Sequence, residues 1–254
     1  MYFSTLITLI ILFFLTSILG VVTGSNSLIT VPVMFQFGID EKVAVATNMF
    51  GLTFMSIGGT IPFVRQGRID YRKVSPLIVL TVISSALGAV LVGLITNQSL
   101  KLIVSIAMIA VAAFTFLKRD TDAPPEAVVP RNGFVVTCIL TFLLGVYGGL
   151  YSGGYVTMLT AVCVAFFGMS FSEAVGSTKL INVFSSLIAT LVFMYQGLID
   201  YKLGIILGGT MFIGAYVGAH YATKMNDLWL KRIFLATVFL LAIKTLYDLS
   251  GVLR

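Results

Sequence analysis

Gln66-Gly67-Arg68-Ile69-Asp70-Tyr71 returns 130 residues later as Gln196-Gly197-Leu198-Ile199-Asp200-Tyr201, with five of six positions identical. Both copies are polar connections between long apolar runs. The same offset carries Gly88 to Gly218, Ala89 to Ala219 and Lys101 to Lys231, and an offset of 125 carries Leu19-Gly20-Val21 to Leu144-Gly145-Val146. Composition alone makes apolar stretches resemble one another, but it does not reproduce a polar hexapeptide. The chain therefore reads as a tandem duplication, with residues 1–119 as one transmembrane repeat, 120–133 as a linker and 134–254 as the second repeat. The linker holds three of the six prolines.

Outward from these connections the chain is greasy. Of 254 residues 58% are apolar and 10% charged, and mean hydropathy is +1.05. A soluble domain is about 25% charged, so a soluble fold is excluded, as is disorder. Cys138 and Cys163 sit inside apolar runs and read as small buried hydrophobes, not a disulfide framework. The net charge of +6 is spread over short connections without a basic tract. That pattern fits membrane topology and no nucleic-acid partner. The first charge is Asp40, so the opening apolar stretch lacks a basic signal-peptide region and is expected to stay in the mature protein.

A bilayer core about 30 Å thick needs about 20 apolar residues per helix. Eight charge-poor runs meet that need, at 5–38, 43–64, 74–95, 101–117, 134–167, 173–195, 203–223 and 230–248. Membrane strands would alternate instead of staying apolar, so an all-α polytopic membrane protein is expected, with four hydrophobic segments in each half. The opening run of each half is about 34 residues, or about 50 Å of helix, too long for one straight crossing. Each is expected to break where glycines and polar residues cluster, at Gly20 to Ser27 and at Gly145 to Gly154.

Unwound backbone survives in a membrane only where it is buried or lines a cavity, and paired breaks in two halves point to a transporter's substrate site. Gly24, Ser25, Asn26 and Ser27 in the first half, with Gly149, Tyr151, Ser152 and Gly153 in the second, are the candidate binding residues there. Close helix packing is the competing explanation for these glycines, and the preferred one for Gly214 and Gly218. The second long run of each half adds Thr47 and Asn48, then Ser177, Thr178, Lys179 and Asn182. Lys179 lies about seven residues into its run, about 10 Å deep, where it either snorkels to the interface or faces the substrate path. One fixed cation among neutral donors, with helix N-termini aimed at the breaks, suits a small anion.

Topology stays open at this stage. With eight crossings the basic residues divide nine to five, and with inverted hairpin halves giving ten they divide ten to four. Either way the loop 65–73 is expected to be cytoplasmic. His220 is expected near an interface, Lys244 to snorkel, and Glu173 and Asp227 to serve helix ends. There is no paired intramembrane carboxylate, His-x-x-His or Cys cluster, so no enzyme activity, metal or cofactor is expected. The sequence leaves the oligomeric state open.

Two four-segment halves, each opening with a glycine-rich break, followed by a small and polar stretch, an Ile-Asp-Tyr connection and a third run bearing Gly-Ala, resemble the TauE/SafE family of sulfite and organosulfonate exporters. The resemblance covers nearly the whole chain. It implies export of a small sulfur-containing anion across the plasma membrane through a site between the repeats. A passive anion channel, or a structural membrane protein that transports nothing, is the alternative reading of the same segments.

Overall fold

The computed structural model describes residues 3–24, 26–117, 132–226, 228, 229 and 232. Among them every regular element is a helix: α1 (Phe3–Thr23), α2 (Ser27–Gln36), α3 (Glu41–Arg65), α4 (Tyr71–Leu94), α5 (Asn97–Leu117), α6 (Gly133–Leu150), α7 (Tyr155–Phe166), α8 (Phe171–Tyr195) and α9 (Tyr201–Ala222). Six of these, α1, α3, α4, α6, α8 and α9, are long and apolar enough to cross a bilayer. The protein is a multi-pass, all-helical membrane protein. All of the last apolar run at 230–248 except Arg232, Lys244 included, lies outside the described residues, as do most of the linker, Ser25 and Asp227.

Each over-long opening segment is two helices. The interruptions are narrower than the sequence suggested: α1 ends at Thr23 and α2 starts at Ser27, and α6 ends at Leu150 and α7 starts at Tyr155. Gly20, Gly145, Gly148 and Gly149 remain helical because they serve packing. A Cβ at Gly145 would strike the Ser84 side chain, and one at Gly149 would strike the Ser85 backbone, both on α4. Gly214 and Gly218 likewise press against the Phe14 and Ile18 carbonyls of α1.

The repeated hexapeptide is a helix-to-helix turn built twice. Gln66 and Gln196 end their helices, and Gly67 (φ +64°) and Gly197 (φ +69°) reverse the chain in the left-handed region. Ile69 and Ile199 plug the turn, buried in both places. Asp70 then caps α4 by accepting from the Arg72 and Lys73 amides, while Asp200 caps α9 by accepting from the Leu203 amide. The positive-φ residues among those described are Gly24, Gly38 and Gly67, then Gly154, Gly168 and Gly197, each pair 130 apart.

Helix directions follow from which residues meet. α3 and α8 run in opposite directions, since Thr53 meets Thr190 (3.1 Å), Asn182 donates to Ser56 (2.6 Å), and Arg68 beyond α3 donates to Ser172 at the start of α8 (3.0 Å). α4 runs with α8, through Ser85 to Ser185 (2.6 Å) and Gln196 to the Ala89 carbonyl (3.4 Å). α9 runs with α3, as Gly204 lies on Phe50 and Gly58 on Phe212, and it also runs with α1. α4 packs extensively on α6, and α9 on α1. Since α1 and α3 both run with α9, α2 between them returns the chain toward the end where α1 began. One end of the molecule gathers residues 65–73, the start of α8 and the end of α9, where Arg68 also reaches the Thr223 carbonyl (3.5 Å). At the other end, Lys42 donates to the Gly93 carbonyl (3.2 Å) and Asn97 to Asp40.

Candidate functional site

The two interruptions meet inside the bundle. Gly24 holds φ +70° and faces the first turn of α7 so closely that a Cβ there would lie 2.7 Å from Val156 Cβ and 2.8 Å from the Thr157 nitrogen. Thr157 donates its hydroxyl to the Thr23 carbonyl (2.5 Å), Tyr151 donates to the Ser27 carbonyl (2.9 Å), and the Ser27 and Ser152 hydroxyls share a hydrogen bond (2.8 Å). Side chains at the second break and at the start of α7 thus bond backbone carbonyls at the first, which suits a hydrocarbon environment where backbone polar groups need partners.

Behind Ser27 stands Asn48, whose amide donates to the Ser27 hydroxyl (2.9 Å) while its carbonyl accepts from Thr30 (2.7 Å). All three are buried. Asn48→Ala should remove two buried hydrogen bonds, leaving Ser27 with Ser152 and Thr30 with the Asn26 carbonyl, and lower stability by about 1–3 kcal/mol. Thermal unfolding in detergent measures it, and an unchanged midpoint would mean that neither bond contributes to stability.

In front of the breaks is a cavity of about 10 Å³ lined by Gly20, Gly24, Asn26, Ser27, Ser152, Lys179 and Asn182, with Leu52, Met55 and Val156 as its apolar wall. That is room for about one water. Lys179 is 3% exposed, so it does not snorkel. Its ammonium donates to the Gly20 carbonyl (2.9 Å), near the C-terminal end of α1 where the helix dipole is negative. No carboxylate stands opposite it: among the described residues the one ion pair is Lys73 with Asp70, at 3.9 Å. Asn26 is 3% exposed, donates to Met55 Sδ (3.2 Å), and keeps its carbonyl oxygen buried without a partner. α2 and α7 both begin at this junction without a side-chain cap, so their first-turn N–H groups add positive potential to it.

The structure thus gathers Gly24, Asn26, Ser27, Ser152, Lys179 and Asn182 around one cavity, and sets Tyr151 and Asn48 one bond behind it. Other expected residues lie elsewhere. Thr47 accepts from the Asp200 amide (3.0 Å) near the start of α3, and Thr178 bonds Thr160 (3.0 Å) between α8 and α7. Ser177 is buried with no hydrogen-bond partner, Gly149 packs on α4, and Gly153 lies beneath the Tyr151 ring and accepts from Tyr147. Ser25 is outside the described residues. Gly20, Met55 and Ser56 were not singled out as site residues. Helical spacing from Asn48 could have found the last two, because 48, 52, 55 and 56 share one face of α3. His220 is exposed at the end of α9 and stacked on Tyr216, Glu173 forms a capping box with Ser170, and both cysteines are free.

A cation without a carboxylate, surrounded by amide and hydroxyl donors, can hold a small anion by charge-assisted hydrogen bonds. Among the described residues no group of three His, Cys, Asp or Glu side chains could hold a metal ion.

Comparison with known proteins agrees with this architecture. A family model described as "Sulfite exporter TauE/SafE" matches residues 9–245. The chain is similar to the probable membrane transporter protein ORF9 of Sinorhizobium sp, 29% identical over 253 residues that cover 99% of this chain and 96% of the relative. It is also similar to a probable membrane transporter protein of Haemophilus influenzae, 24% identical over 92% of both chains. Similarity extends to the probable membrane transporter protein YfcA of Escherichia coli strain K12, 23% identical over 95% of this chain and 90% of that one.

Proposed function

The chain belongs to the TauE/SafE family of membrane transporters, and from that premise we propose that it exports a small sulfur-containing anion, sulfite or an organosulfonate, across the plasma membrane. The observation that carries this reading is Lys179, a buried ammonium with no carboxylate paired to it among the described residues, held by a backbone carbonyl at the junction of two broken helices. A lone charge at such depth is costly and is retained where function needs it. The anion would take the ammonium together with donors from Asn182, Asn26, Ser27 and Ser152. The cavity is too small for such a solute in this conformation, so binding requires the surrounding helices to move, as alternating access does.

The same reading makes the halves inverted repeats. Equivalent helices α3 and α8 are antiparallel, and each first segment folds back toward its own side, which favours the ten-segment arrangement. The end bearing Arg65, Arg68, Arg72, Lys73 and Lys224 is then cytoplasmic, against Lys42, Lys101 and Lys202 opposite. Export from there needs no coupled ion, because an inside-negative potential favours anion exit by about 2.3 kcal/mol per charge per 100 mV.

Uptake of labelled sulfite into inverted membrane vesicles, competed by sulfonates, sulfate and carboxylates, tests this function. The expected result is saturable uptake, inhibited by sulfonates, with exchange of labelled for unlabelled anion. Flux that neither saturates nor exchanges would make the protein a channel. No flux and no anion-dependent thermal stabilisation would remove the transport reading.

A further inference from the structure

Away from the junction, a groove of about 320 Å³ runs between α3 and α8 on the membrane-facing surface. Ile57, Ile61 and Val64 line it from α3, at the spacing of one helix face, and Leu180 and Val183 from α8. Ile57 and Val64 are 39% and 41% exposed, so the groove is open. Arg65 closes one end. It lies in the last turn of α3, about 12 Å of helix beyond Ile57, exposed, and its guanidinium is 3.5 Å from the Tyr216 hydroxyl. The Tyr216 ring stacks on His220 at 6.5 Å, which places aromatic side chains around the same rim.

An apolar trough within one leaflet's depth that ends on a guanidinium at the membrane boundary has the shape and charge of an anionic lipid. We infer that this groove binds an anionic phospholipid, with an acyl chain along Ile57, Ile61 and Val183 and the phosphate on Arg65. Arginine's planar fork matches phosphate oxygens, and basic pockets between transmembrane helices hold anionic headgroups. No carboxylate pairs with Arg65 among the described residues. A second copy of this chain docked side by side would bring its own Arg65, Arg68, Arg72 and Lys73 against the same rim, so charge disfavours that occupant. The site does not depend on what the protein transports. It bears on movement all the same, because the lipid would lie along the pair of helices joined by Ser56 and Asn182, next to the turn that carries Lys179.

Native mass spectrometry of the purified protein with phosphatidylglycerol or phosphatidylcholine tests it. The wild type should retain phosphatidylglycerol preferentially, and Arg65→Gln should weaken that retention about fivefold, the worth of one interfacial charge, leaving phosphatidylcholine unaffected. Arg65→Lys should keep most of the preference, and Ile57→Trp, which fills the trough, should lower phosphatidylglycerol binding with Arg65 intact. Equal retention of the two lipids by the wild type, no change on Arg65→Gln, or no change on Ile57→Trp would overturn the assignment. Disulfide-linked dimers formed by Ile57→Cys would give the groove to a second copy instead.

Discussion

Lys179→Met should cut anion transport at sub-saturating substrate about ten- to a hundredfold while leaving the protein at least as stable as the wild type. The two expectations have opposite signs, which separates a binding role from a structural one. Burying a lone ammonium costs several kcal/mol in desolvation, and here one carbonyl hydrogen bond to Gly20 is its visible compensation. Methionine fills similar space without that cost, and the Gly20 carbonyl still accepts from the Gly24 amide (2.8 Å), so nothing is orphaned. The substrate, in contrast, would lose a charge-assisted hydrogen bond worth about 1.5–3 kcal/mol, roughly ten- to a hundredfold in affinity. Vesicle uptake and a detergent melting curve on one preparation decide it. Undiminished flux would remove Lys179 from the path, and a melting point several degrees lower would make it a tie between α8 and α1.

Gly24→Ala should be strongly destabilising, because it combines a left-handed backbone with a clash against backbone. The residue holds φ +70°, which costs an L side chain about 1–2 kcal/mol, and the added carbon would lie 2.8 Å from the Thr157 nitrogen, which is backbone and cannot swing away. Forcing the two interruptions apart adds about 1–3 kcal/mol. Gly38→Ala is the matched control, since Gly38 has φ +77° and open space around its Cα. It should lose only the conformational part. Urea or thermal unfolding of the two variants measures the difference. Equal losses would mean that the contact between the breaks contributes nothing to stability.

The helices, their turns and the two interruptions could be read from the chain because each depends on local chemistry. Gln-Gly-x-Ile-Asp-Tyr carries its own helix stop, left-handed glycine and N-cap, and the runs between such turns are apolar on all sides. The extent of each break could not be read, since glycine serves equally to unwind a helix and to let another helix approach. Gly149 does the second, and Gly24 does both. Lys179 was legible as an unusual residue but not as a buried one, because its depth of about 10 Å was within reach of either fate. The pairing of Ser27 with Ser152 links residues 125 apart, and no periodicity encodes it. The partners of Thr47 and Thr178 were illegible for a related reason: both are polar and on the same helices as Asn48 and Lys179, but their hydroxyls bond neighbouring elements.

The packing of α4 against α6 and α8 bears on how the molecule is made. α4 emerges from the ribosome before α6 and α8 exist, yet its Ser85 hydroxyl is completed only by the Gly145 carbonyl and Ser185. During synthesis that face must wait in lipid or against an insertion factor, with its hydrogen bonds unmade. A nascent chain halted between α5 and α6 should accordingly be a better client of the membrane insertion machinery than the finished protein.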